Sequence, residues 1–204
     1  MATTAIHPAL SFSTAGTLPE SRLRPMARPT APTPPPPDDK DWTWVLHEPC
    51  PDCGFDAAHV AGTQVPDIVR DSAARWAAVL ARPDARLRPE PHVWSPLEYA
   101  CHVRDVCRVF AERVHLMLTT DDPRFANWDQ DATALAERYW EQEPVVVSAE
   151  LTGAAELAAA RFDEVTEEEW DRTGLRSNGS AFTVETLGQY FVHDLVHHGH
   201  DVGA

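Results

Sequence analysis

VWSPLEYACHVRDV, residues 93–106, is the stretch that decides the fold. Ser95 is a good N-cap, Pro96 suits the first helical position, and Glu98 stands where a capping box needs its acceptor. Beyond them Leu97, Ala100, Val103, Val106, Phe110, Val114 and Met117 recur at helical spacing. A helix is expected over about 95–119, stopped by Asp121, Asp122 and Pro123. His102 lies inside it between Cys101 and Val103, surroundings that favour an inward-facing imidazole. A histidine so placed is also an ordinary core residue when a hydrogen bond satisfies it.

Three more helical stretches flank this one. Apolar residues from Val65 to Leu80 repeat at the same spacing, with Pro66 in the first turn and Pro83 beyond the last, which gives a helix over about 64–82. A third is expected over about 145–164, followed by a short helical turn at Thr166–Trp170. The last runs from Thr183 to about His200 and stops at Gly203. Residues 120–143 are acidic and aromatic and read as a long connection, partly helical over 131–142. Residues 173–181 read as a turn or small hairpin. With no strand-rich segment and no internal repeat, the expected class is all-α, a four-helix bundle over residues 64–204.

The N-terminal part differs in kind. Residues 1–40 hold nine of the 18 prolines and few large apolar side chains, the composition of a disordered tail, and Met26 is an alternative start. Residues 41–63 carry Trp42, Trp44, Val45, Leu46 and Phe55 and read as an ordered, irregular arm lying on the bundle. The net charge of −15, with Lys40 the only lysine, argues against nucleic acid as a partner. No apolar run is long enough to cross a bilayer, and no signal peptide pattern opens the chain. A cytoplasmic location is therefore expected, with the four cysteines as thiols or metal ligands rather than disulfides. Heavy use of Ala, Arg, Pro, Asp and Val fits a GC-rich, actinobacterial genome.

Four of the ten histidines fall in HDLVHHGH, residues 193–200. His193 and His197 share a helix face one turn apart, a common way for one helix to give a metal two ligands. His102 is the candidate third ligand. His115 lies over three turns further along the same helix, about 20 Å, so it cannot serve the same ion. His200 lies near the stripe of His193 and His197, whereas His198 is turned about 100° from His197 onto another face. The plain alternative is an incidental histidine-rich tract.

The stretch around His102 resembles the second-helix motif of the DinB/YfiT-like superfamily: a Trp-Ser/Thr start, a Glu, and a histidine four residues after it. LGQYFVHDLVHHGHD, residues 187–201, resembles that family's last helix, roughly His-x-x-x-His-Arg-Gly-Gln. AAELAAARFDEVTEEEWDRT, residues 154–173, resembles its third helix and following turn. The resemblance covers about residues 64–202. It implies an up-down-down-up four-helix bundle with a divalent metal between His102, His193 and His197. Zn²⁺ is the first choice, with Ni²⁺, Fe²⁺ or Mn²⁺ as alternatives, and three such ligands leave coordination positions open. His198 and His200 stand where the family has Arg and Gln, so His200 could add a ligand or an acid/base group. Glu98, Asp105 and Asp194 are candidates to support the ligands or act as bases; the plainer roles are cap for Glu98 and solvated surface for the aspartates.

By that resemblance the expected activity is a thiol S-transferase, using mycothiol or a similar thiol as cosubstrate on a small electrophile. A metal-dependent hydrolase and a non-catalytic metal-binding stress-response bundle are the alternatives. The partners implied are a small-molecule thiol and an electrophile, without membrane or nucleic acid, and a homodimer is compatible with the acidic, aromatic connection.

Cys50-Pro-Asp-Cys53-Gly resembles one knuckle of a zinc ribbon, but the chain has no second CxxC, so a self-contained ribbon is excluded. Three readings stay open. His47 and His59 complete a structural Cys2His2 site; the pair is a redox or inert dithiol; or the arm folds over the bundle mouth and brings a thiolate near the metal. Cys101 and Cys107 read as core residues.

Overall fold

The computed structural model describes residues 31–37 and 40–204. Most of the tail expected over residues 1–40 therefore lies outside the described residues. The piece at 31–37 is irregular, and its Thr33 carbonyl accepts from Arg88 at 2.6 Å.

Among the described residues five helices form: α1 (Val65–Leu80), α2 (Pro96–Thr119), α3 (Gln130–Ala136), α4 (Pro144–Asp163) and α5 (Val184–Val202). Their ends follow local chemistry. At the start of α2 the Ser95 hydroxyl accepts from the Glu98 amide at 3.3 Å, and Glu98 accepts in return from the Ser95 amide at 2.9 Å. Thr183 caps α5 by accepting from the Thr186 amide at 3.1 Å. The four long helices make a bundle in which α4 packs against both α1 and α2, and α5 packs against both as well. Its core is aromatic at the centre, with the Phe191 ring stacked 4.8 Å from Phe110 and 6.1 Å from Phe162. Small residues of α4 (Ala154, Ala155, Ala158 and Ala159) are all buried and let its neighbours approach closely.

The expectation of an all-α chain needs one correction. Strands β1 (Arg124–Phe125), β2 (Thr173–Arg176) and β3 (Ala181–Thr183) form a small sheet, β1 parallel to β2 and β2 antiparallel to β3. A two-residue strand carries no alternation to be read, so β1 was invisible in the acidic connection. Gly174 makes the pairing feasible, because a Cβ there would lie 2.9 Å from both Met117 and Phe125.

The arm follows α5 as three short 3-10 turns, at Trp42–Leu46, Ala57–His59 and Gly62–Gln64. Side chains of α5 hold it by its backbone. Gln189 donates to the carbonyls of Ala57 at 3.3 Å and Val60 at 2.9 Å, and Glu185 accepts from the Gly62 amide at 3.2 Å. Among the described residues no helix is long and apolar enough to cross a membrane.

Candidate metal centre

Helix α5 presents histidines on two different faces. Each residue turns the helix by about 100°, so His193 and His197 lie on one stripe, and Asp194 and His198 on the next. Val184, Leu187 and Phe191, all fully buried, precede Asp194 and His198 at spacings of three and four. The Asp194–His198 stripe is thus the polar continuation of the bundle-facing side, and it meets His102 of α2. The His193–His197 stripe lies about 100° away, more than a quarter of a turn, under the arm.

The first group is His102, Asp194 and His198, each offering one ligand atom within 4.8 Å of the others. His102 Nε2 is 3.5 Å from Asp194 Oδ1, and His198 Nε2 is 3.8 Å from the same oxygen. Aromatic packing fixes the His102 ring: Trp128 lies parallel at 5.4 Å and Trp94 tilted at 5.4 Å. On His198 the other ring nitrogen, Nδ1, sits 2.9 Å from Asp201 Oδ2, which orients the ring as carboxylates do behind metal-bound histidines. Both ring nitrogens of His102 and Asp194 Oδ1 are buried without a hydrogen-bond partner. Such orphaned groups are costly and rare, and two imidazoles with a carboxylate oxygen are a donor set that a divalent ion satisfies.

The electrostatics agree with that fit. Burial lowers the His102 pKa and keeps the imidazole in its neutral, ligating form. Burial works to raise Asp194, but the surrounding His102, His198 and His193 outweigh it and hold the carboxyl at about 2.

The second group is Cys50, Cys53, His193 and His197, again with one ligand atom each within 4.8 Å. Cys50 Sγ lies 3.6 Å from His197 Nδ1. Trp42 covers both imidazoles, its ring 5.6 Å from His193 and 5.3 Å from His197. Burial, then the nearby His197, lower His193 to about 4, and burial pushes the Cys53 thiol up to about 11. Asp201 stands behind this group as well, its Oδ1 3.9 Å from His197 Nε2.

The structure therefore divides the set expected from the sequence. His193 and His197 do share a face, but that face meets Cys50 and Cys53, and His102 gathers Asp194 and His198 instead. His47 and His59 do not join the cysteines: both are exposed, and His59 pairs with Asp56 at 2.9 Å. His200 is exposed and lines a separate depression with Ile68 and Arg75. The Glu98 carboxylate is taken up by Ser95 and Arg88. Asp105 is bound by Tyr139 at 2.6 Å and by Arg104 at 2.9 Å. Cys101 and Cys107 are buried, with the Cys101 thiol 3.5 Å from Gln142 Oε1 and pushed up to about 12 by burial. The places of Trp94, Trp128, Asp201 and His198 around this group went unread. The signal for His198 was present, since Asp194 and His198 obey the same four-residue spacing as His193 and His197.

A cavity of about 90 Å³ adjoins both groups, lined by Trp42, Gln130, Tyr190, Asp194 and the three histidines His193, His197 and His198 of α5. Trp42, Gln130 and Tyr190 also line a larger cleft of about 840 Å³, whose wall includes Lys40, Asp41, Asn127, Asp129 and Arg176. The small cavity is thus a side chamber of a polar cleft.

Fold and centre together define a helical-bundle protein with a buried imidazole–carboxylate group between its second and last long helices. The chain belongs to the DinB superfamily, whose family model matches residues 67–202. Among solved structures it is similar to YfiT from Bacillus subtilis, described as a probable metal-dependent hydrolase with an unusual four-helix bundle topology. That likeness has a TM-score of 0.58 at 20 % identity and covers 68 % of this chain and 81 % of YfiT. No curated protein matches the chain significantly.

Proposed function

We propose that this chain is a metal-dependent enzyme whose divalent ion is held by His102, Asp194 and His198, and that it joins a low-molecular-weight thiol of the mycothiol class to a small electrophile. The observation that carries the reading is the pair of buried, unpartnered ring nitrogens of His102 together with Asp194 Oδ1, gathered beside His198 and bordered by a cavity that continues into a polar cleft. Three protein ligands beside open space are the pattern of a catalytic rather than a structural ion. When bound, the ion supplies Lewis acidity, which lowers the pKa of a thiol or water towards neutral and polarises a carbonyl. Zn²⁺ is the first choice, with Fe²⁺, Mn²⁺ and Ni²⁺ also suited to this donor set.

The chain's own residues do the rest. Trp94 and Trp128 hold the His102 ring, and Asp201 holds that of His198. Gln130 and Tyr190 offer hydrogen bonds where the side chamber meets the cleft. Lys40, Asn127 and Arg176 suit a polar, hydroxyl-rich thiol carrier. Hydrolysis is the second reading. It is supported by the description of YfiT and by a side chamber that admits a few waters, at about 30 Å³ each.

The deciding experiment incubates the zinc-loaded protein with an alkyl halide and a sugar-linked cysteine thiol, and reads the products by mass spectrometry. The expected product is the thioether: a C–S bond forms, the halide leaves with its electron pair, and the thiol proton passes to the buffer. His102→Ala and His198→Ala should abolish it. Undiminished turnover in both variants refutes the reading. Products from ester or amide substrates carrying water oxygen, with the thiol unconsumed, establish the hydrolase instead.

A further inference from the structure

Four ligand atoms from two distant parts of the chain meet where the arm crosses α5. Cys50 and Cys53 come from the arm, His193 and His197 from the helix, more than 130 residues later. A tetrahedral zinc ion with Zn–N of about 2.0–2.1 Å and Zn–S of about 2.3 Å spaces its ligand atoms about 3.3–3.8 Å apart. The Cys50 Sγ to His197 Nδ1 distance of 3.6 Å is on that scale. The Cys-Pro-Asp-Cys-Gly segment is already wound as a knuckle. The Cys50 carbonyl accepts from the Gly54 amide at 2.9 Å, and the Cys50 amide donates to Phe55 at 2.8 Å. Gly54 takes φ +74°, a backbone conformation that side chains rarely adopt. Nε2 of His193 is buried with no hydrogen-bond partner, and the cysteines are free thiols.

We propose that Cys50, Cys53, His193 and His197 form a second, closed zinc site of structural type that clamps the N-terminal arm onto α5. Two thiolates and two imidazoles fill a tetrahedral sphere and leave no position for substrate. The clamp has a functional address. Trp42, which covers the two imidazoles, is also a wall of the side chamber and of the cleft, and Lys40 and Asp41 beside it line the cleft. An ion at the knuckle thereby sets the position of the cleft's arm-side wall. The site stands independently of the reading given to His102, Asp194 and His198.

The test measures zinc and cobalt in the full-length protein. Wild type reconstituted with zinc alone should hold two ions per chain, His198→Ala one, and Cys53→Ser one. Cobalt-loaded wild type should show thiolate-to-cobalt charge transfer in the near ultraviolet, retained in His198→Ala and lost in Cys53→Ser. One ion per chain, carrying that absorption and surviving in His198→Ala, supports the clamp while removing the His102 centre. If Cys53→Ser does not fold, X-ray absorption of zinc-loaded His198→Ala replaces it, with sulfur expected at about 2.3 Å. A zinc shell of nitrogen and oxygen only overturns the proposal. So do cobalt protein without charge transfer and Cys53→Ser with an unchanged metal content.

Discussion

Glu98 gives the most demanding stability prediction, because it joins the start of α2 to the loop before it, one turn ahead of His102. Its side chain is 2 % exposed and that of Arg88 13 %. The carboxylate accepts from the Ser95 amide at 2.9 Å and hydroxyl at 2.8 Å, and from Arg88 at 2.8 and 2.5 Å. Glu98→Ala leaves a nearly buried guanidinium unpaired and opens the capping box. Breaking a buried pair in this way costs roughly 3–5 kcal/mol. Arg88 keeps bonds to the carbonyls of Thr33 and Pro91, which places the loss near the lower end, about 3 kcal/mol. For a chain of this size, that is a fall in Tm of about 6–12 °C. Glu98→Gln keeps an acceptor for the box and should lose roughly half as much. Arg88→Met combined with Glu98→Ala should recover most of the single-variant loss, since no buried charge is left alone. Calorimetry with chelator present, so that metal linkage does not enter, measures all four proteins. A Glu98→Ala loss under about 1 kcal/mol, or a double variant no better than the single, would refute this account of Glu98.

Zinc uptake by the metal-free protein near neutral pH should release at least one proton per ion at the arm site. Cys53, pushed up to about 11, must lose its proton, while His193, lowered to about 4, has none to give; calorimetry in buffers of different ionisation enthalpy counts them. Asp105 is driven upward by burial but held below the ordinary 3.8 by the bonds from Arg104 and Tyr139. Its contribution to stability is therefore full above about pH 4 and lost as pH falls through the lowered folded value. Asp105→Asn should flatten the acid limb of urea midpoints collected between about pH 2 and 5; an unchanged slope contradicts the assignment. Gly62→Ala places a Cβ 2.5 Å from the Trp170 ring, so that ring must move, at a cost of roughly 1–3 kcal/mol seen in the denaturation midpoint.

The helices were legible because their signals are local. Ser95 with Glu98, and Thr183 with Thr186, announce helix starts within four residues, and apolar periodicity needs only one element to be read. Of the small sheet only the hairpin of β2 and β3 was legible, as the turn or small hairpin expected over residues 173–181; β1 was not, because it is two residues long and pairs with a strand some fifty positions away. The two candidate ligand groups were half legible. HDLVHH contains two overlapping pairs four residues apart, His193 with His197 and Asp194 with His198, and spacing alone ranks them equally. Which pair meets His102 depends on the rotation of α5 about its own axis. That rotation is set by Val184, Leu187 and Phe191, whose stripe runs on through Asp194 and His198. Following the apolar stripe to its polar end, rather than the histidine spacing alone, yields the grouping that the structure shows.

The same rotation explains why the arm carries the cysteines. Once Asp194 and His198 turn into the bundle, His193 and His197 face away from it, and two imidazoles on an outer helix face need a cover. Trp42 and Phe55 supply the apolar part of that cover, with ring centres 5.3–5.6 Å from the imidazoles. Cys50 and Cys53 supply the polar part. Asp201 then stands between the two groups, one oxygen 2.9 Å from His198 Nδ1 and the other 3.9 Å from His197 Nε2. A change of charge at either group is felt by the carboxylate that orients the other. Arm and last helix thus meet at a shared seam, where the Trp42 ring lies on His193 and His197 and the Asp201 carboxylate reaches both His197 and His198.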